Sequence, residues 1–179
     1  LAGRGDSVVH CPESNLKLAS GFCPIAELAA AGINIALGTD GASSNNDLDM
    51  FGEMRSCALL AKGVAQRADA APAATVLGMA TLNGAKALGL GDRIGSLVTG
   101  KEADVICVDL SAAATQPVYD PVSQLVYATS RDQVSDVWVA GRQLLADHQP
   151  LVADAPAILA RAESWRARLS AARGSVAHD

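Results

Sequence analysis

Aromatic side chains make up only 3% of this 179-residue chain, two each of Phe, Trp and Tyr. Any core must therefore be built mainly from Ala, Val, Leu and Ile; at 50% hydrophobic, the chain has enough of these to bury one, which rules against disorder. Histidine is scarce as well, with His10, His148 and His178 far apart and no His-x-His pair among them. The four cysteines, Cys11, Cys23, Cys57 and Cys107, are irregularly spaced and include no Cys-x-x-Cys pair. That pattern excludes a zinc ribbon or a disulfide framework. Each lies in or beside an apolar run, where Cys acts as a small hydrophobe and stays reduced. Positive charge is also short: 14 Lys and Arg against 19 Asp and Glu leave a net charge of -5. A nucleic-acid partner held through phosphates is thereby disfavoured. No run approaches the ~18 apolar residues of a membrane span, and there is no signal-peptide pattern. These absences predict a cytoplasmic protein, and the initial Leu1 in place of Met predicts a fragment.

What is present begins with Ile33 to Asn46. Ile33, Ile35 and Leu37 alternate with smaller residues, Gly38 ends the run, and Asp40-Gly41 follows. This reads as a short buried strand that delivers a carboxylate at its carboxyl end, the place where a (β/α)8 barrel does its chemistry. Ser43, Ser44, Asn45 and Asn46 then read as a polar loop. Upstream, Ser7 to His10 predicts a second strand, broken by Cys11-Pro12, so His10 stands in the same relative place as Asp40. Pro24 to Ala31, stopped by Gly32, predicts a helix between the two strands. Strand, helix, strand is one βαβ unit and implies parallel pairing. A further helix should open at Asn46 or Asp47, with Met50, Met54, Cys57, Ala61 and Val64 as its buried stripe.

Pro72 to Leu90 predicts two short helices broken around Asn83-Gly84. Beyond Gly95 the character changes. Ala103 to Leu110 is a β run, Pro121 to Ala128 a short helix, and Val134 to Leu145 a hairpin turning through Ala140-Gly141. Ala155 to Ala172 predicts a closing helix with Ile158, Ala162, Trp165, Leu169 and Ala172 on one apolar face. The Gly89, Gly91, Gly95 series ends a helix where a dinucleotide fingerprint would open one, so a Rossmann domain is disfavoured.

Three stretches together resemble the amidohydrolase superfamily, and within it the methylthioadenosine/S-adenosylhomocysteine deaminase and chlorohydrolase branch. They are His10-Cys11-Pro12-Glu13-Ser14-Asn15-Leu16-Lys17-Leu18; Leu37-Gly38-Thr39-Asp40-Gly41 with its Ser-Asn-Asn loop; and Ile94-Gly95-Ser96-Leu97, Gly100-Lys101 and Ala103-Asp104-Val105. The resemblance implies the last two βα units of a TIM-like (β/α)8 barrel (residues 1–92), a partial antiparallel β-sandwich module (93–150), and a carboxyl-terminal helix and tail (151–179). His10 would end barrel strand seven and Asp40 strand eight. Enzymes of this kind hold one divalent metal, usually Zn2+, through a His-x-His pair on strand one, a His on strand five and the strand-eight Asp. Asp40 matches that Asp, so it is the expected metal ligand and catalytic base. His10, Ser44 and Asn45 are expected, with Asp40, at the substrate. The His-x-His pair is missing, and a barrel alone takes about 250 residues, so this chain reads as the carboxyl-terminal part of such an enzyme.

The implied activity of the whole is hydrolytic deamination of an adenine-type nucleoside by metal-activated water, in a homo-oligomer that engages neither nucleic acid nor membrane. A relative acting on guanine, another purine or a chloro-triazine is the alternative within the class. A non-catalytic α/β binding module, with Asp40 only a turn residue, is the alternative outside it.

Overall fold

A computed structural model describes residues 3–176 of the chain. Strand β1 (Ser7–His10) and strand β2 (Asn34–Leu37) pair in parallel, Val8 opposite Ile35 and His10 opposite Leu37. Between them lie helix α1 (Pro12–Lys17) and helix α2 (Ile25–Ala30). Cys11-Pro12 does end β1 as expected, but Pro12 then occupies the first turn of α1, where its fixed φ favours the helix and its missing N–H costs nothing.

After β2 the chain passes through the loop 38–49 into α3 (Met50–Ala65). The helix opens three residues later than an Asn46 cap would place it, with Asp49 as its cap: the Asp49 carboxylate accepts from Phe51 N at 2.9 Å. The two asparagines are engaged elsewhere. Asn45 Oδ1 accepts from Leu48 N at 3.0 Å, Asn46 Oδ1 accepts from Lys17 Nζ at 2.6 Å, and Leu48 has a left-handed φ of 52°. Met54, Cys57 and Ala61 are buried as the periodicity predicts, joined by Phe51, Glu53 and Ala58, whereas Val64 is exposed.

Helices α4 (Ala73–Ala80) and α5 (Leu82–Ala87) follow, and the break between them falls at Thr81, ahead of Asn83. Asn83 is held by the sheet. In a parallel ladder alternate residues face alternate neighbours. Gly38 N donates to His10 O, so the Ile35 carbonyl lies on the edge away from β1. Asn83 Nδ2 donates to that carbonyl at 3.0 Å, and Asn34 Nδ2 donates to Asn83 O at 3.0 Å and to Ser7 Oγ at 2.9 Å.

The second sheet is antiparallel, in the order β3 (Val105–Val108), β4 (Val134–Val139), β5 (Arg142–Ala146), β6 (Gln149–Pro150). The predicted hairpin turn is present: Ala140 and Gly141 both have positive φ, 48° and 77°, the combination a two-residue primed turn requires. Helix α6 (Pro121–Tyr127) carries Val126, fully buried, into a core shared with Leu37, Phe51, Met54, Val76 and Met79. Arg55 secures the end of α6, its guanidinium donating to Tyr127 O at 3.0 Å and Thr129 O at 2.7 Å, carbonyls that no helical amide reaches. The antiparallel sheet is thus tied to α3.

Helix α7 (Ala155–Val176) forms as predicted, but Ile158, Trp165 and Leu169 of its apolar face remain more than half exposed. All four cysteines are free, with Cys57 buried and Cys107 exposed on β3. His148 sits in the turn between β5 and β6, and His178 lies outside the described residues.

Candidate functional site

Asp40 stands three residues beyond the end of β2, with a left-handed φ of 62°. A non-glycine residue seldom adopts that conformation, though Asp does so more readily than most. Here it turns the carboxylate toward two serines from separate segments. Ser14 Oγ, from α1, and Ser44 Oγ, from the loop, each donate to Asp40 Oδ2 at 2.9 Å, and Gly41 N donates to Oδ1 at 2.7 Å. These three donors, the Gly41 amide first, hold the Asp40 carboxyl below its ordinary value of 3.8. A carboxylate offers about four lone-pair sites. Three are taken, and the one left is on Oδ1. The residue is exposed.

Each neighbouring residue is placed by its own element. Ser14 is buried in α1. Ser44 is also buried, its Oγ lying within reach of Gly41 O at 3.2 Å as well as Asp40. Its one hydroxyl proton serves the framework of the site, so of the two roles open to it, substrate contact and orientation of Asp40, the geometry favours the second. Asn45 is buried and fully used: Oδ1 accepts from Leu48 N, and Nδ2 donates to Glu53 Oε1. Lys17 pins the loop from outside, donating to Ser43 O at 3.1 Å.

His10 departs from its expected position. Its ring is 5% exposed and faces a small cavity between β1, α1, α2 and α3, walled by Pro12, Asn15, Cys23, Ile25 and Ala61. Asp40 is not among those walls. The alternation along β1 explains the difference: Val9 points to the open face, 57% exposed, and His10 to the helices. Burial lowers the His10 pKa, and its Nδ1 has no hydrogen-bond partner among the described residues.

Two residues escaped the sequence reading. Ser14 sits inside the Cys-Pro-Glu-Ser-Asn stretch, and its spacing from Asp40 carries no signal until α1 folds back. Glu53 is 0% exposed. The available signal was a carboxylate beside Met54 on the buried side of an otherwise apolar stripe.

Asp40 suits one coordination position of a divalent cation: it is anionic, exposed and oriented, with a free lone pair. Among the described residues no group of three or more His, Cys, Asp and Glu could hold a metal by itself. The further ligands would have to come from beyond these residues.

The chain is similar to several known proteins. The chain is 53% identical over 173 residues to a 5-methylthioadenosine/S-adenosylhomocysteine deaminase of Teredinibacter turnerae, covering 97% of this chain and 39% of the relative. It is 49% identical to the protein of that name from Saccharophagus degradans, covering 94% and 38%. Among solved structures, an adenosine deaminase from Xanthomonas campestris with bound zinc superposes with a TM-score of 0.93 at 58% identity, over 95% of this chain and 39% of that one. An atrazine chlorohydrolase from Arthrobacter aurescens complexed with zinc superposes with a TM-score of 0.85 at 31% identity, over 91% and 36%. This chain therefore spans about two fifths of the length of the relatives it matches. The model of the amidohydrolase family matches residues 1–144, and the chain belongs to that family.

Proposed function

We propose that this chain is the carboxyl-terminal part of a zinc-dependent deaminase acting on adenine-type nucleosides, with 5-methylthioadenosine and S-adenosylhomocysteine as its substrates. In this reading β1 and β2 are the last two strands of a (β/α)8 barrel and β3 to β6 belong to an appended β module, so Asp40 lies at the catalytic, carboxyl-terminal face. The observation that carries the proposal is the Asp40 carboxylate itself, exposed beyond a parallel strand and held anionic by three donors.

Asp40 would be one ligand of the metal, which when bound supplies Lewis acidity and lowers the pKa of water toward ~7. The chain's own contribution is a base in fixed register. Asp40 takes the proton of the attacking water and can pass it on toward the departing amine. Ser14 and Ser44 stop the carboxylate from rotating, so its position is set before substrate arrives. Loss of ammonia leaves an oxo group on the ring.

The relatives that match at 49 to 58% identity carry adenine-nucleoside deaminase names, and the chlorohydrolase matches at 31%. That difference favours the deaminase reading over the triazine one. The test is Asp40→Asn in the full-length protein, followed by ammonia release from 5-methylthioadenosine. Activity should fall at least ~100-fold, the scale of a lost general base. Near-normal turnover would show that Asp40 only shapes the turn, whereas no ammonia release from the unmutated full-length protein would favour a non-catalytic module.

A further inference from the structure

We infer that Glu53, buried in α3 and not itself in contact with Asp40, is the positioning residue that sets Asp40 by holding both segments that carry its serine donors. Its two carboxylate oxygens go to two different places. Oε2 accepts from the backbone N of Glu13 at 3.2 Å, and Oε1 accepts from the side-chain amide of Asn45. Glu13 immediately precedes Ser14, and Asn45 immediately follows Ser44. Each arm therefore clamps the residue next to a serine, and both serines converge on Asp40 Oδ2.

Both partners of Glu53 are donors, and neither can exchange roles. A backbone N–H has only a proton to offer. The Asn45 amide cannot flip without surrendering Leu48 N, which its Oδ1 already accepts. Only a group with two acceptors on one planar head joins the arms, and a carboxylate is that group. A Gln at 53 has one acceptor and would point its amide at one of the two donors, leaving a buried clash.

Helix α1 is seated for this purpose by further contacts. Ser56 Oγ donates to Glu13 Oε1 at 2.9 Å, and a Cβ at Gly52 would stand only 3.1 Å from that same oxygen. Gly52 thus lets the Glu13 carboxylate lie against α3, one residue from Glu53. The cost is a carboxylate desolvated at 0% exposure with no cation among the described residues bonded to it. A side chain that only filled space here would be more favourable as Met or Leu, like its neighbours.

The inference rests on Asp40 acting in catalysis, and the test separates the two claims. In the full-length zinc-loaded protein at pH 8, where Glu53 is the carboxylate, Glu53→Gln, Glu53→Asp, Asp40→Asn and Val126→Ala are compared for kcat, KM, melting temperature and rate of zinc loss to a chelator. Val126→Ala reports a buried defect remote from the serines. Glu53→Gln should lower kcat by about 10- to 100-fold, the cost of a misplaced catalytic group. It should also speed zinc loss, with KM changed less than about threefold. Val126→Ala should lower the melting temperature while leaving kcat and zinc loss unchanged. If Glu53→Gln does not fold, Glu53→Asp gives the same comparison, because it keeps both acceptors but is one methylene too short to reach both arms. Wild-type kcat and zinc loss in the Glu53 variants beside an inactive Asp40→Asn would overturn the positioning role alone. Full activity in Asp40→Asn would overturn the reading of Asp40 itself.

Discussion

At the scale of single residues, the site is a carboxylate whose surroundings are specified more tightly than its exposure suggests. Asp40 is open to solvent, yet its Oδ2 is shared by hydroxyls that lie 26 and 4 residues away in the chain. Removing either hydroxyl should act on turnover more than on substrate affinity. In the full-length protein, Ser14→Ala and Ser44→Ala are each expected to lower kcat by about tenfold, with KM within about threefold, because orientation is lost while binding groups remain. A rise in KM with unchanged kcat would mark the serine as a substrate contact. Glu53 adds a pH dependence. Burial, with the Glu13 and Asp47 carboxylates nearby, pushes its pKa from 4.5 up to about 7. Folding therefore holds this proton more tightly than the unfolded chain does, so the associated stability is present at low pH and is lost as pH rises through about 7. His10 works in the opposite direction. Burial holds its pKa below 6.5, so its contribution is present above 6.5 and lost as pH falls. Melting curves at pH 5.5 and 8 should show that Glu53→Gln removes stability loss on the alkaline side, and that His10→Gln removes it on the acid side.

At the scale of elements, glycine and asparagine decide how α5 packs within the α/β half. Gly95 has a φ of 87°, and a Cβ there would stand 2.7 Å from Ala85 Cβ and 2.9 Å from Leu82 Cα. The turn after α5 closes against that helix only because nothing projects from Gly95. Gly95→Ala combines a left-handed conformation with overpacking, and should cost about 2 to 3 kcal/mol. A thermal melt should register this as a clear drop in midpoint, whereas Gly63→Ala, at a site open to solvent within α3, should leave it the same or higher. Asn83 works along the same seam. Its side chain satisfies the Ile35 carbonyl on the edge of β2 away from β1.

At the scale of the whole molecule, the two sheets share one core through α3, α4 and α6. Structural and catalytic zinc sites ordinarily take three or four protein ligands, and no described cluster supplies them. The 179-residue chain purified by itself is therefore expected to retain well under one equivalent of zinc after dialysis and to release no ammonia from 5-methylthioadenosine. Atomic absorption and an ammonia assay check both, and stoichiometric zinc with turnover would show that the chain completes a site on its own. None of the described helices is long and apolar enough to cross a membrane.

The sequence by itself determined the elements whose cause is local. The β1 and β2 strands, their parallel pairing, the Ala140-Gly141 turn and the α6 and α7 helices follow from apolar runs, punctuation by Gly and Pro, and the reach of a βαβ connection. Asp40 was legible for the same reason, as the polar residue that a buried strand releases at its end. Tertiary structure decided whatever depended on a competing partner. Asn46 and Asp47 read as alternative helix caps, but Lys17 takes the Asn46 side chain and the helix start passes to Asp49. His10 resembled Asp40 in sequence, but the alternation of β1 sends its ring into the helices. Ser14 and Glu53 gained their roles only when α1 folded back across the loop, because a hydrogen bond spanning 26 or 40 residues leaves no periodicity in the chain to read.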